Sequence, residues 1–199
     1  PRVMGILNVT PDSFFDGGRY STLETATKHC ISMVSAGADI IDIGGESTRP
    51  GALEVETSEE ISRVVPVIKK ISNKISVPIS ADTRKSEVAK MAISSGAAMV
   101  NDISGLKFDS KMGDFCIKYN VPVCIMHSQG IPETMQNEPK YKDVCLDIYD
   151  FLSQQIENLV NSGMQRTAII VDPGIGFGKS LTHNLSLLRK ISLFHGLGV

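Results

Sequence analysis

Short apolar runs and longer amphipathic segments alternate along the whole chain. Six runs have the length and the apolar content of β-strands that are covered on both faces. Between them lie segments with charged and apolar residues at helical spacing, such as TSEEISRVVPVIKKISNK at 57–74. The predicted strands are VMGILN (3–8), DIIDIGG (39–45), VPISADT (77–83), AMVNDIS (98–104), VPVCIMH (121–127) and TAIIVDPG (167–174).

Helix starts and ends can be placed by single residues. Gly37, Gly96 and Gly163 each follow an amphipathic segment, where a left-handed residue commonly ends a helix. Thr57 precedes a serine and two acids, an arrangement typical of a helix start. Strands that alternate with helices pair in parallel through crossover connections. The pattern therefore predicts an α/β fold, either a doubly wound sheet or a barrel.

Polar residues at the strand ends decide between these two architectures. A doubly wound sheet collects its ligand groups at one switch point, whereas a barrel brings the C-terminal end of every strand into one ring. Polar ends on all six strands favour the barrel. Aspartates that only cap the next helix would explain Asp102 or Asp109, but not the whole set. That set is Asn8, Asp42 with Glu46, Asp82, Asn101 with Asp102, His127 and Asp172.

The number of repeated units is smaller than a full barrel requires. A (β/α)8 TIM barrel has eight strand–helix units in about 250 residues, and these 199 residues hold six. We therefore predict one incomplete barrel domain over residues 1–199, truncated before strand seven, which would begin near HGLGV at 195–199. Strands one and six would be open edges, so we expect the isolated piece to be poorly soluble or loosely folded.

Composition narrows the function classes further. The chain is 42% hydrophobic and 21% charged with a formal net charge of −2, and it has no basic cluster of the kind that binds nucleic acid. No apolar run is long enough for a membrane span. Four widely spaced cysteines favour buried thiols in a reducing compartment over a metal clip or a disulfide framework. We expect an intracellular protein, cytoplasmic or, in a eukaryote, mitochondrial, without nucleic-acid or membrane partners.

The stretch VDPGIGFGKS at 171–180 raises the question of a phosphate-binding loop. Such a loop needs a glycine four residues before Gly-Lys-Ser, so that backbone N–H groups surround the phosphates. Here Pro173 occupies that position, and proline has no N–H to donate. The sequence therefore disfavours a nucleotide hydrolase. The notable residue of the stretch is the aspartate at the strand end, Asp172.

Three strand-end residues suit the binding of a flat heterocycle. Asp82 and Asp172 are carboxylates that can accept two parallel N–H bonds from an amino-pyrimidinone edge, and the Asn101 amide can donate and accept at once. Each aspartate alone could equally be a local cap or an ion-pair partner. Asn8 supplies a neutral oxygen, which is compatible with Mg²⁺ because this ion takes few protein ligands beside a substrate's phosphates.

Long loops after strands one and two complete a recognisable series of motifs. Connections of this length are usually lids or binding loops. With three later motifs, they closely resemble the dihydropteroate synthase family over essentially the whole chain. The motifs are GILNVTPDSFFDGG (5–18), DIIDIGGESTRPGA (39–52), ISADT (79–83), VNDISG (100–105) and VDPGIGFGK (171–179).

This resemblance implies a (β/α)8 barrel transferase of folate biosynthesis that is a sulfonamide target. It would condense dihydropterin-methyl diphosphate with p-aminobenzoate and release diphosphate. The resemblance further implies Mg²⁺ as cofactor, a mobile cover over residues 10–18, and a homodimer or fusion to other folate-pathway domains. The implied roles are a magnesium ligand at Asn8, pterin-diphosphate binding by Thr48, Asp82, Asn101 and Asp172 with Asp82 also catalytic, and a p-aminobenzoate pocket at Arg49, Pro50 and Phe177.

The chain departs from the family pattern at its end, and further functions stay open. The family's lysine after strand seven, and its arginine and histidine after strand eight, have no counterpart here, so we expect the piece alone to have little activity. One rival function is that of another pterin-binding barrel, such as a methyltetrahydrofolate-dependent methyltransferase, which need not share the STRPG motif. A nucleotide hydrolase and a fragment without catalytic activity stay open as well.

Overall fold

The computed structural model describes residues 1–10, 19–47, 52–130 and 139–199. Within these residues, six strands alternate with six α-helices. The strands are β1 Met4–Asn8, β2 Ile40–Gly44, β3 Ile79–Asp82, β4 Met99–Asp102, β5 Val123–Met126 and β6 Ile169–Asp172. The helices are α1 Arg19–Ser35, α2 Thr57–Ile71, α3 Ser86–Ser94, α4 Lys111–Tyr119, α5 Val144–Asn161 and α6 Leu181–Arg189. In the described part of the chain, no helix is long and apolar enough to cross a bilayer.

The first compact unit contains residues 1–47 and 54–101. Its strands pair in parallel in the order β1, β2, β3, β4. Apolar residues of β1, β2 and β3 pack against α1, α2 and α3, and Ile41, Ile68 and Ile71 are fully buried in this cluster. Ile6 of β1 is 61% exposed. An apolar strand residue this exposed is typical of a sheet that is not covered at that position.

The second unit consists mainly of residues 102–199. Here β5 pairs in parallel with β6, and α5 buries the apolar side chains of Ile148, Leu152 and Ile156. A 3-10 segment at Ile191–Leu197 follows α6. Residues 195–197 of HGLGV, near which strand seven was expected to begin, belong to this 3-10 segment.

Most sequence predictions of the secondary structure are confirmed. All six strands lie within their predicted runs, and each is shorter than its run by one to four residues. Gly37, Gly96 and Gly163 adopt positive φ at 102°, 115° and 102° as predicted for helix ends. At Gly96 a side chain would also collide, since an added Cβ would lie 2.6 Å from Ser72 Cβ. The four cysteines are free and buried, whereas the single domain over 1–199 stays a prediction.

Candidate active site

One row of residues crosses the carboxyl ends of the four strands in the first unit. Asn8 is in register with Gly44, Gly44 with Asp82, and Asp82 with Asn101. Residues in register on neighbouring parallel strands point to the same face, and the strands are about 4.8 Å apart. Three of the predicted site residues, Asn8, Asp82 and Asn101, are therefore presented on one face within about 15 Å.

Gly44 leaves room for the Asp82 carboxylate. An added Cβ at Gly44 would lie 2.8 Å from Asp82 Oδ2 and 3.3 Å from Asp82 Cβ. The carboxylate thus occupies the space that a side chain on the neighbouring strand would need. A glycine between two polar positions in the row is what allows Asp82 to lean over β2.

Asp42 orients the amide of Asn101. The Asn101 Nδ2 group donates to Asp42 Oδ2 at 2.9 Å, and this bond leaves the acceptor capacity of the Asn101 amide oxygen unused. Burial raises the pKa of Asp42, and interactions with Ser80 and Asn101 oppose that rise. The arrangement predicts a ligand with N–H groups at Asn101, in agreement with the carboxylate of Asp82 in the next position of the row.

A buried chain of charges supports the turns that follow β2 and β3. Glu46 accepts from Arg84 at 2.6 Å and from Lys85 at 2.8 Å, and Lys85 also donates to Glu60 at 2.7 Å. All four side chains are at most 10% exposed. Burial alone would lower the pKa of Lys85, but its bonds to Glu46 and Glu60 outweigh that effect and raise it. Glu46 Oε1 also accepts from the N–H of Val55 at 3.4 Å, near the other end of the loop between β2 and α2. Glu46 thereby connects both ends of the second long loop.

In the second unit, Asp172 is the last residue of β6 and shapes the turn that follows. Its Oδ1 atom accepts from the Gly174 N–H at 2.7 Å. Each carboxylate oxygen has two acceptor positions, so this bond leaves capacity for a ligand. Gly174 lies against the end of β5, because an added Cβ would lie 2.0 Å from the His127 carbonyl oxygen. The proline and glycine after Asp172 therefore fit a turn packed on neighbouring backbone.

Lys179 settles the question of the Gly-Lys-Ser stretch. Its ammonium donates to the Phe177 carbonyl at 2.8 Å and the His127 carbonyl at 3.1 Å, and it lies 3.2 Å from His127 Nδ1. These three acceptors match the three hydrogens of an ammonium, and Lys179 is only 3% exposed. A lysine that is buried and fully bonded within the chain cannot reach a nucleotide's phosphates, which agrees with the expectation from the spacing of the motif.

Burial and neighbouring charges lower the pKa values of both Lys179 and His127. Burial lowers the pKa of Lys179 to about 8, and the charge of Asp172 partly opposes the shift. Burial, followed by the charges of Lys179 and Lys107, lowers the pKa of His127 to about 3. His127 is therefore neutral at physiological pH, and its Nδ1 can accept from the lysine.

Several predicted site residues lie where the structure gives no account of them. Thr48, Arg49 and Pro50 are outside the described residues, as is most of the 10–18 loop. Asp82 and Asn101 are adjacent in the first unit, while Asp172 and the half-buried Phe177 belong to the second. The convergence of Asp82, Asn101 and Asp172 on one cavity stays a prediction.

The expected magnesium ion is compatible with the donor set at the strand ends. Within the described residues, no three His, Cys, Asp or Glu side chains are grouped to hold a metal ion. Asn8 is exposed at the end of β1 and offers one amide oxygen. This fits Mg²⁺, which commonly keeps most of its coordination for water and substrate phosphates.

The supporting charges were not foreseen from the sequence. Arg84 and Lys85 directly follow the strand-end Asp82-Thr83 pair, and two adjacent cations at that place are the signal that could have indicated buried partners. Glu60 was interpreted as a helix-start acid, but it is fully buried and paired with Lys85. Asp109 fits the cap interpretation, since its Oδ1 accepts from the N–H of Lys111, the first residue of α4. Asp102 does not, because its Oδ1 accepts from the N–H and the hydroxyl of Ser104, seven residues before that helix.

Comparisons with known proteins show which family the chain resembles over its length. The family described as "Pterin binding enzyme" matches residues 4–199. Dihydropteroate synthase of Escherichia coli K12 is 48% identical over 195 residues, covering 98% of this chain and 69% of the relative. The structure of Xanthomonas albilineans dihydropteroate synthase with 4-aminobenzoic acid superimposes with a TM-score of 0.93 at 43% identity, covering 100% of this chain and 70% of that one. The Yersinia pestis enzyme in a sulfonamide drug complex gives 0.93 at 46% identity, covering 100% and 72%.

Proposed function

The chain belongs to the pterin-binding enzyme family, and from that membership we propose that it catalyses the dihydropteroate synthase reaction. Its fold is the α/β fold of these TIM-barrel enzymes over the length that it covers. The observation that carries the proposal is the row of Asn8, Asp82 and Asn101 across β1, β3 and β4, with the Asn101 amide oriented by Asp42. A pterin ring presents N–H groups along one edge, and this row presents acceptors.

In the reaction, the amine nitrogen of p-aminobenzoate bonds to the pterin methylene carbon. The bond from that carbon to the diphosphate oxygen breaks, diphosphate leaves with the bonding electrons, and the new secondary amine loses a proton to water. No side chain has to act as nucleophile or strong base, because an arylamine is nucleophilic while neutral. The protein's task is to orient two substrates and to stabilise charge.

Asp82 and Asn101 would hold the pterin and stabilise it as the methylene carbon becomes electron-poor. A carboxylate that accepts N–H bonds from the ring also favours positive charge on that ring. Asp172 would add a second carboxylate to this site. Asn8 is the residue that would hold Mg²⁺ beside the diphosphate, and a bound magnesium ion would neutralise charge on this leaving group.

The proposal includes p-aminobenzoate as second substrate and sulfonamides as its competitors. The support comes from the 4-aminobenzoic acid and sulfonamide complexes of the related enzymes. Phe177, in the turn after β6, and the loop residues Arg49 and Pro50 would form this pocket. A homodimer, or a place in a longer folate-pathway polypeptide, stays a prediction.

The test is turnover by the natural full-length protein. Dihydropterin-methyl diphosphate and p-aminobenzoate are supplied with Mg²⁺, and dihydropteroate and diphosphate should appear in equal amounts. Asp82→Asn should lose most activity because a carboxylate stabilises a cationic ring better than an amide does. The matched control is Asp150→Asn, at an exposed position of α5. Conversion of methyltetrahydrofolate without dihydropteroate formation would favour a methyltransferase and contradict the proposal.

A further inference from the structure

Lys179 is a buried lysine whose ammonium is hydrogen-bonded to two backbone carbonyls and one imidazole nitrogen. Burying an ammonium is costly unless it is hydrogen-bonded, and here each of its hydrogens has an acceptor in the chain. None of these acceptors is an anionic side chain. The lysine therefore acts as a structural tie between backbone segments, and the two segments that it joins indicate what it stabilises.

One end of this tie is the exit of β5, and the other is the turn that carries Phe177. The His127 carbonyl directly follows β5, while the Phe177 carbonyl belongs to the turn between β6 and α6. The two segments are in close contact, since a Cβ at Gly178 would lie 2.6 Å from the Gln129 carbonyl oxygen. Lys179 thus connects two backbones that already pack without room for a side chain.

Neighbouring side chains hold the same turn at other points. The Tyr141 hydroxyl donates to the Gly178 carbonyl at 2.8 Å, and the Gly176 N–H donates to Asn184 Oδ1 at 2.8 Å. The glycines at 176 and 178 adopt positive φ, so the turn has little intrinsic preference for a single conformation. The backbone of Phe177 itself is held by two bonds, one from its N–H to the Gly174 carbonyl at 3.1 Å and one from the Lys179 ammonium to its carbonyl. Of these two, the Lys179 ammonium also bonds the end of β5.

We propose that Lys179 is a positioning residue for p-aminobenzoate, because it fixes the backbone of Phe177 against the end of β5. This assignment rests on the proposed function, in which Phe177 lines the p-aminobenzoate pocket. Lys179 has no hydrogen left for a ligand, so its effect on the reaction passes through the position of the Phe177 ring. The proposed pterin contacts at Asp82 and Asn101 belong to the first unit. The third, Asp172, lies at the start of this turn and has its own bond to the Gly174 N–H, whereas Lys179 bonds the Phe177 carbonyl five residues later.

The test compares Lys179→Met with Lys190→Met in the natural full-length enzyme. Methionine keeps an unbranched stem but removes the ammonium, and Lys190 is an exposed lysine at the end of α6. The KM for each substrate, kcat and the thermal unfolding midpoint are measured. We expect Lys179→Met to raise the KM for p-aminobenzoate by about tenfold or more, which corresponds to about 1.4 kcal/mol. The KM for the pterin diphosphate should stay near that of wild type, and Lys190→Met should change neither.

Each outcome of this comparison is decisive. Equal rises in both KM values, or no rise in either, would show that Lys179 has only a general structural role and overturn the assignment. A wild-type enzyme that forms no dihydropteroate would overturn the proposed function and the assignment with it. If Lys179→Met does not fold, Tyr141→Phe replaces it, because this variant removes the neighbouring bond to Gly178. It should raise the KM for p-aminobenzoate alone, and an unchanged or an equally shifted pair of KM values would refute the assignment.

Discussion

Replacing Lys85 by methionine should destabilise the first unit more than any surface lysine does. Lys85 lies between two buried carboxylates, at 2.8 Å from Glu46 and 2.7 Å from Glu60. Glu60 is fully buried, and its Oε1 atom has no hydrogen-bond partner among the described residues. Without the ammonium, the charge of Glu60 would lose its cation, while Glu46 would keep Arg84 at 2.6 Å.

The size of the effect follows from this burial. Removing one partner of a buried ion pair costs about 3–5 kcal/mol, because an uncompensated charge is left in the interior. Native proteins have a total stability of about 5–15 kcal/mol. At 150–250 residues, 1 kcal/mol shifts the thermal midpoint by about 2–4 °C, so Lys85→Met should lower it by about 10 °C. Replacing Glu60 by glutamine in the same chain should recover part of this loss, since one stranded charge disappears.

The assay is urea unfolding of the full-length protein, with thermal unfolding as a second probe. Lys90→Met is the matched control, since Lys90 is an exposed lysine of α3, and substitutions at such sites usually stay within about 0.5 kcal/mol. The raised pKa of Lys85 also predicts how its contribution to stability depends on pH. Its contribution to stability is complete below the ordinary lysine pKa of about 10.4 and is lost as the pH rises through the higher value of the folded state. A Lys85→Met variant as stable as Lys90→Met would refute the argument.

Three further predictions concern the site and its surroundings. Gly44→Ala should displace the Asp82 carboxylate and weaken pterin-diphosphate binding, measured by calorimetric titration, by about tenfold to a hundredfold. The control is Gly113→Ala, because a Cβ at Gly113 would meet nothing closer than 3.5 Å. Similar affinities of the two variants would contradict the role of Gly44. The pKa of His127 is lowered to about 3, so its neutral form favours the folded state fully above about pH 6.5, and this contribution is lost as the pH falls toward 3. The free energy of unfolding should therefore fall less between pH 7 and pH 5 in His127→Asn than in wild type, and equal slopes would refute this. Pro50→Ala should change sulfonamide and p-aminobenzoate affinity more than pterin affinity, because proline fixes φ in that loop; competition assays that show equal losses would count against it.

Local patterns in the sequence were sufficient for the elements and for the polar residues at strand ends. The alternation of apolar runs with amphipathic segments predicted all six strands, because a strand covered on both faces must be apolar along its whole length. Gly37, Gly96 and Gly163 were predicted at helix ends because few other residues adopt positive φ at low cost. The motif resemblance identified the family before any fold was known, and the comparisons confirm it.

The tertiary structure decided which of these residues act together. The register of four strands aligns Asn8, Gly44, Asp82 and Asn101 in one row, and the partner of a strand is not contained in its own sequence. Lys179 is the clearest case. In the sequence it stands in a Gly-Lys-Ser stretch that suggests phosphate binding. In the structure its ammonium bonds His127, more than fifty residues earlier, and Phe177. A charged residue shows its type in the sequence, while its role depends on burial and on acceptors that only the folded chain brings to it.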